Sequence, residues 1–239
     1  HPFAWKVLGA ILKQKGRISE SLIVCQKSVQ LDPQDAKAHN NLAIILLLQS
    51  RLEEAETSLR KAIELKPDLA EAYNNLGIIF QKLRKFTEAC SAYIKAINFN
   101  PDFTDAYENL GMVIKKVRFN SSNVELYPLL IRLLSIGNFV RPRDLASSIL
   151  SLLKHDPLIK NLLLEKNFAT NLKEANSIIG NLDKLKLLHH LMRVCPLPDL
   201  QFERFFVTMR NLLLKNLDNI EASPEFIYFL STLSLHCFT

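Results

Sequence analysis

The side chains of greatest chemical potential in this sequence are few, and their spacing does little for catalysis. His189 and His190 are adjacent. On a helix, neighbouring residues point about 100° apart, so the two rings are badly placed to share a metal, and no third ligand follows one turn on. A helix-surface or interface role fits both better. His236–Cys237 falls under the same reading, and His39 reads as a packing residue. Cys25, Cys90, Cys195 and Cys237 lack C-x-x-C spacing, which fits small buried hydrophobes of a reducing compartment better than disulfides or zinc. None of the six glycines builds a phosphate-cradling G-x-G-x-x-G or G-x-x-x-x-G-K-[ST] loop, and the sequence holds no G-x-S-x-G or H-E-x-x-H motif. The expectation is a chain without a catalytic site, cofactor or metal.

The amides carry more. Asn41, Asn75 and Asn109 stand 34 residues apart, and Asn40 and Asn74 precede two of them. Asn is a poor helix-interior residue because its amide competes for backbone hydrogen bonds. Placing it repeatedly at one interval therefore implies a job. One job is to line a groove and hold an extended peptide by its backbone, one donor and one acceptor per rung. The other is to bridge neighbouring repeats or simply to meet water. The candidate groove residues are Asn40, Asn41, Asn74, Asn75 and Asn109, with Ile44, Ile78 and Met112 three residues beyond the ladder positions.

The elements that must position these amides repeat with the same beat. Pro33, Pro67 and Pro101 stand 34 residues apart near the start of three copies of one phrase, "LDPQDAKAHNNLAIILL", "LKPDLAEAYNNLGIIFQ" and "FNPDFTDAYENLGMVIK". Within one unit, Tyr73, Leu76, Gly77 and Phe80 share a helix face, and Ala89, Tyr93 and Ala96 follow on a second helix. The small Gly77 and Ala89 predict close approach of the two helices. Pro101 ends the unit, and Asp102 is expected to cap the next helix. One step back gives His39, Leu42, Ala43, Leu46, Ala55, Leu59 and Ala62; a second gives Trp5, Leu8, Gly9, Leu12, Ser21, Cys25 and Ser28. Tyr107, Leu110, Gly111 and Ile114 begin a fourth unit that dissolves after Arg118.

These positions resemble the tetratricopeptide repeat, with its W-x2-L-G-x2-Y, A-x3-F and P pattern. Ser21, Cys25 and Ser28 depart from it. The resemblance implies an all-α fold: a helix-turn-helix solenoid of about 3.5 repeats over residues 1–118, whose usual product is a binding groove. It further implies a protein or peptide partner. The asparagine ladder is similar to the groove of repeat arrays in O-linked N-acetylglucosamine transferases, which hold protein substrates this way. A second groove type, the chaperone-binding clamp for a C-terminal carboxylate, matches at Lys6 and Asn41. It fails at Ala10, where Asn is needed, and at Glu71, which would repel a carboxylate.

After the polar break at Phe119–Asn123 the beat stops, and residues 124–239 read as a non-repeat α-helical bundle or capping domain. Helices are expected over "VELYPLLIRLLSIGN", broken early by Pro128, over "RPRDLASSILSLLKH", and from Asp156–Pro157 onward. Others are expected from Thr170 or Asn171 to Gly180, over "NLDKLKLLHHLMRV", from Asp199, and from Ser223–Pro224 to the end. "NFVRPRDLASSILSLLKHDPLIKNLL" and "FIYFLSTLSLHCFT" resemble the helical region between repeats and catalytic domain in bacterial methyltransferases dependent on S-adenosylmethionine. That resemblance implies a substrate-recruiting part of a larger enzyme. The chain reads as an excerpt, cut at both ends.

Composition limits the partners. The net charge of +6 is mild and shared between the two halves, without the clustered basic stripe and interleaved aromatics that nucleic acid would require. "KLRK" at Lys82–Lys85 and "KKVR" at Lys115–Arg118 fit solvated helix ends, where cations suit the dipole. No apolar run reaches the ~18 residues of a membrane span, and no signal peptide opens the chain, so a cytoplasmic protein is expected. A homo-oligomer is compatible with the sequence.

Overall fold

The computed structural model describes residues 2–136, 140–164, 186–195, 197, 199–215, 227 and 231. Regular structure among them is helical throughout, and the chain divides into two units, His1–Val113 and Ile114–Thr239.

The first unit is a run of helix pairs. α1 (Pro2–Gln14) packs on α2 (Ile18–Leu31), α3 (Ala36–Leu48) on α4 (Leu52–Leu65), and α5 (Ala70–Lys82) on α6 (Phe86–Phe99); α7 (Thr104–Ile114) opens the next repeat. Successive pairs are joined by α2 against α3 and by α4 against α5. The small positions of the sequence pattern set the spacing. A Cβ on Gly77 would lie 2.5 Å from Tyr93 Cε1, and one on Gly9 would lie 2.8 Å from Cys25 Sγ, so each glycine admits the bulkier partner of the second helix. Tyr93 is fully buried and its hydroxyl donates to Gln81 Oε1 at 2.9 Å. Ala55, Ala62, Ala89 and Ala96 are likewise sealed, and Ala43, Leu46, Leu59, Leu76 and Ile79 fill the spaces between them. In the first repeat Ser21 replaces the small apolar residue without loss of burial, because its hydroxyl donates to the Gly9 carbonyl at 2.8 Å.

The turns inside the repeats share one backbone device. Gly16, Ser50 and Arg84 hold the same place in successive units, with φ of 73°, 61° and 60°. Each follows a first helix, and the next residue's N–H reaches back to the last turn: Arg17 to Leu12, Arg51 to Leu46 and Lys85 to Phe80, at 2.8–2.9 Å. The left-handed residue itself donates one turn back, Gly16 to Lys13, Ser50 to Leu47 and Arg84 to Gln81. This is the Schellman ending, in which two orphan carbonyls are satisfied by a reversal of chain direction.

The starts differ. Asp35 caps α3, accepting from the N–H groups of Lys37 (2.8 Å) and Ala38 (3.2 Å). α7 begins two residues after Asp102, at Thr104, and the Asp102 N–H donates to Asn100 Oδ1 at 3.2 Å.

In the second unit a 3₁₀ turn (Val124–Leu126) leads into α8 (Tyr127–Ile136), so Pro128 lies in the first turn of an intact helix instead of breaking one. α9 (Pro142–Leu153), α10 (Pro157–Leu164), α11 (Lys186–Val194) and α12 (Leu200–Lys215) follow. α11 packs on α8 and α9, and α10 meets α12. Asp156 begins α10 as the Asp-Pro pair predicts, accepting from the Leu158 N–H at 2.9 Å, and its other carboxylate oxygen accepts from the buried Tyr127 hydroxyl at 2.7 Å. Asp199 opens α12 in the same manner. The helices expected at Thr170–Gly180 and after Ser223 lie outside the described residues, apart from Ile227 and Ser231, which are helical.

Of the adjacent histidines, His189 takes the interface role: it is buried at 3% exposure in the helix that packs on α8 and α9. Its neighbour His190 shares a hydrogen bond with Ser135 Oγ at 3.1 Å, and burial together with the charge of Arg193 depresses its pKa. His39 bonds through Nε2 to the Pro33 carbonyl at 3.0 Å, tying the start of α3 to the preceding turn. Cys25, Cys90 and Cys195 are buried free thiols, with burial pushing Cys90 up to about 12 and Cys195 to about 11.

Candidate functional site

Of the candidate groove residues, Asn40, Asn41 and Ile44 line cavities beside the first helices of the repeats, α1, α3 and α5. A cavity of about 340 Å³ opens between them, lined by Lys6, Val7 and Ala10 of α1, Lys37, Asn40 and Asn41 of α3, and Leu69 and Glu71 at the start of α5. A smaller void of about 20 Å³ adjoins Asn41 and runs beneath Ala10, between Gly9, Lys13, Cys25, Ile44 and Ile45.

The ladder amides are paired across repeats. Asn75 donates to Asn40 Oδ1 at 2.9 Å, and Asn109 donates to Asn74 Oδ1 at 3.0 Å. Asn40 and Asn74 are buried, at 8% and 6% exposure, whereas Asn41, Asn75 and Asn109 are half-buried. Both Asn40 and Asn41 line the cavity, but only Asn40 is bonded across to α5. Among the described residues Asn41 bonds to no side chain, leaving its carbonyl oxygen and both N–H groups for other use. Ile44 lines the smaller void; Ile78 and Met112 occupy the equivalent places on α5 and α7, outside both cavities, and Met112 is 40% exposed.

Charge in the cavity is partly committed. Lys6 Nζ reaches Asp35 at 2.6 Å, joining α1 to the cap of α3. Burial would raise the Asp35 carboxyl, but the hydrogen bond from Lys6 and the N–H groups of Ala38 and Lys37 outweigh it and hold the pKa below the ordinary Asp range. Lys37 and Glu71 are exposed and have no side-chain partner among the described residues. The four clamp positions weighed from the sequence, Lys6, Ala10, Asn41 and Glu71, do converge on this one cavity. Their chemistry is wrong for a carboxylate: the lysine is already paired, the alanine offers no donor, and the glutamate repels. Val7, Lys37 and Leu69 escaped the sequence reading; the available signal was that Lys37 stands one full period before Glu71.

Among the described residues, no three or more His, Cys, Asp or Glu side chains are grouped to hold a metal ion, and no helix is long and apolar enough to cross a membrane.

Paired antiparallel helices of constant length, turned by one repeated backbone device and stacked at a fixed period, define the first unit as a helical-repeat solenoid. The repeat is the tetratricopeptide repeat. Family models of that description match residues 4–35, 24–57, 45–83 and 70–103. Similar solved structures include the first such domain of Spaghetti (RPAP3) bound to an HSP90 peptide, with 21% identity over 48% of this chain and 91% of that one and a TM-score of 0.46. Others are the Arabidopsis OM64 domain, at 18% identity over 48% and 96% with a TM-score of 0.47, and the Sgt2 domain from Aspergillus fumigatus, at 17% over 48% and 78% with a TM-score of 0.47. A search of curated proteins found no match to the sequence.

Proposed function

We propose that the repeat array is a protein–protein interaction module whose groove holds an extended segment of a partner, and that it works without chemistry of its own. The observation that carries this reading is the cavity between α1, α3 and α5, with the uncommitted Asn41 amide in its wall. An extended backbone needs a donor and an acceptor at one place, and a carboxamide supplies both. The exposed Val7 and Ala10 supply apolar contact area beside it. Asn75 and Asn109 contribute differently: each is held by its neighbour's carbonyl, which fixes the spacing of the rungs and leaves its own carbonyl oxygen free to accept.

The clean test is Asn41→Ala, since the other ladder positions also join repeats. Binding of a capped, randomised peptide pool to the full chain is measured by calorimetry, with helicity checked by circular dichroism. Loss of binding at unchanged helicity supports the reading. Equal binding by the variant removes Asn41 from the site, and no binding by the unmodified chain refutes the groove.

A further inference from the structure

The second residue of each first helix is Phe3, Lys37, Glu71 and Asp105, on α1, α3, α5 and α7 respectively. They stand one period apart, all four are exposed, and two of them, Lys37 and Glu71, line the groove. Along the row the chemistry changes from aromatic to cationic to anionic, while the neighbouring ladder position stays Asn in α3, α5 and α7. Acidic residues in a first helical turn are explained by the macrodipole alone, but Lys37 is not: a cation there opposes the dipole. Lys37 also has no side-chain partner among the described residues, since the adjacent carboxylate, Asp35, is taken by Lys6. The cation at Lys37, set beside the anion at Glu71, is thus a feature of the groove that helix stability does not account for.

We infer that Lys37 and Glu71 are specificity residues that select an extended partner segment carrying one acidic and one basic side chain in a fixed order. The inference rests on the groove reading above and adds what the partner's side chains must be. Packed helices lie about 8–10 Å apart and an extended chain advances about 3.3 Å per residue, which places the two partner charges about three residues apart. The acidic one faces Lys37 and the basic one faces Glu71. A partner ending in a cluster of carboxylates gains nothing here.

The probes are four capped peptides on one Ser/Thr background, with Glu-x-x-Lys, Lys-x-x-Glu, Glu-x-x-Glu and Lys-x-x-Lys, measured on the full chain by fluorescence anisotropy at low salt. One mixed-charge order binds roughly tenfold more tightly than either like-charged peptide, a margin that shrinks with added salt because the pairs are exposed. In the charge-swapped variant Lys37→Glu/Glu71→Lys the preferred order inverts. Equal binding of all four peptides overturns the inference and leaves the groove standing, as does a swap that fails to invert the preference. Absence of binding for all four overturns both together.

Discussion

Removing one partner of the Asn40–Asn75 bridge has unequal consequences on its two sides, and the inequality is calculable. Asn75→Ala leaves the Asn40 carbonyl oxygen in a site of 8% exposure without its donor. An unsatisfied buried polar atom costs about 1–3 kcal/mol. Asn40→Ala removes the buried polar group itself, and the half-buried Asn75 amide can turn to water. The loss is then one neutral hydrogen bond, about 0.5–1.5 kcal/mol, offset by about 0.5 kcal/mol from the better helix propensity of Ala. The double variant has no stranded group and should resemble Asn40→Ala. The expected order is therefore Asn75→Ala the most destabilised, with a coupling energy of about 1 kcal/mol in the double-mutant cycle. Urea unfolding followed by circular dichroism, with slopes held equal, measures all three. A coupling below about 0.3 kcal/mol, the level seen for independent sites, would refute the bridge.

Three further outcomes follow from the same packing. Gly77→Ala forces a Cβ into the sealed Tyr93 ring and should cost about 1–3 kcal/mol, read as a lower melting temperature; an unchanged melt would mean the helix pair can part without penalty. Ser50→Gly and Arg84→Gly should each stabilise, by up to about 1 kcal/mol, because both hold a left-handed φ that Gly adopts without a Cβ clash; lower urea midpoints would count against strain at these turns. Asp35 has a depressed folded pKa, so its contribution is present above the unfolded Asp value of about 3.9 and is lost as pH falls through the folded value. Asp35→Asn should accordingly flatten the acid limb of a stability–pH profile below about pH 4, and an identical limb in both proteins would refute the assignment.

What the sequence revealed and what it concealed divide by whether the physical requirement admits one residue type or many. The close approach at Gly77 demands a missing Cβ, and the period of the prolines demands a turn, so the repeats were legible down to individual packing positions. Of the three left-handed turn positions, only Gly16 carries a residue type that favours the conformation, and it escaped the sequence reading. At Ser50 and Arg84 the same conformation is imposed by the pair of back-bonds that end the helix, and the residue types give no sign of it. His189 and His190 show the limit for the second unit, where no period says which side of α11 faces the core.

The amides add a subtler lesson about function. Sequence spacing identified the ladder but treated its members as equivalent, and the structure separates them: Asn40 and Asn74 are acceptors within the fold, Asn75 and Asn109 are shared, and Asn41 is free. A residue type kept constant along the array can grip a backbone, which is the same in every peptide, but cannot prefer one side-chain sequence over another. Discrimination has to come from places where the array breaks its own period. The second residue of the first helices is such a place, changing from Phe3 to Lys37 to Glu71 to Asp105 while the fold around it stays constant. On the proposed reading, affinity and selectivity fall to different positions, one periodic and one aperiodic. Variants at Asn41 should weaken all bound peptides alike, whereas variants at Lys37 and Glu71 should reorder them.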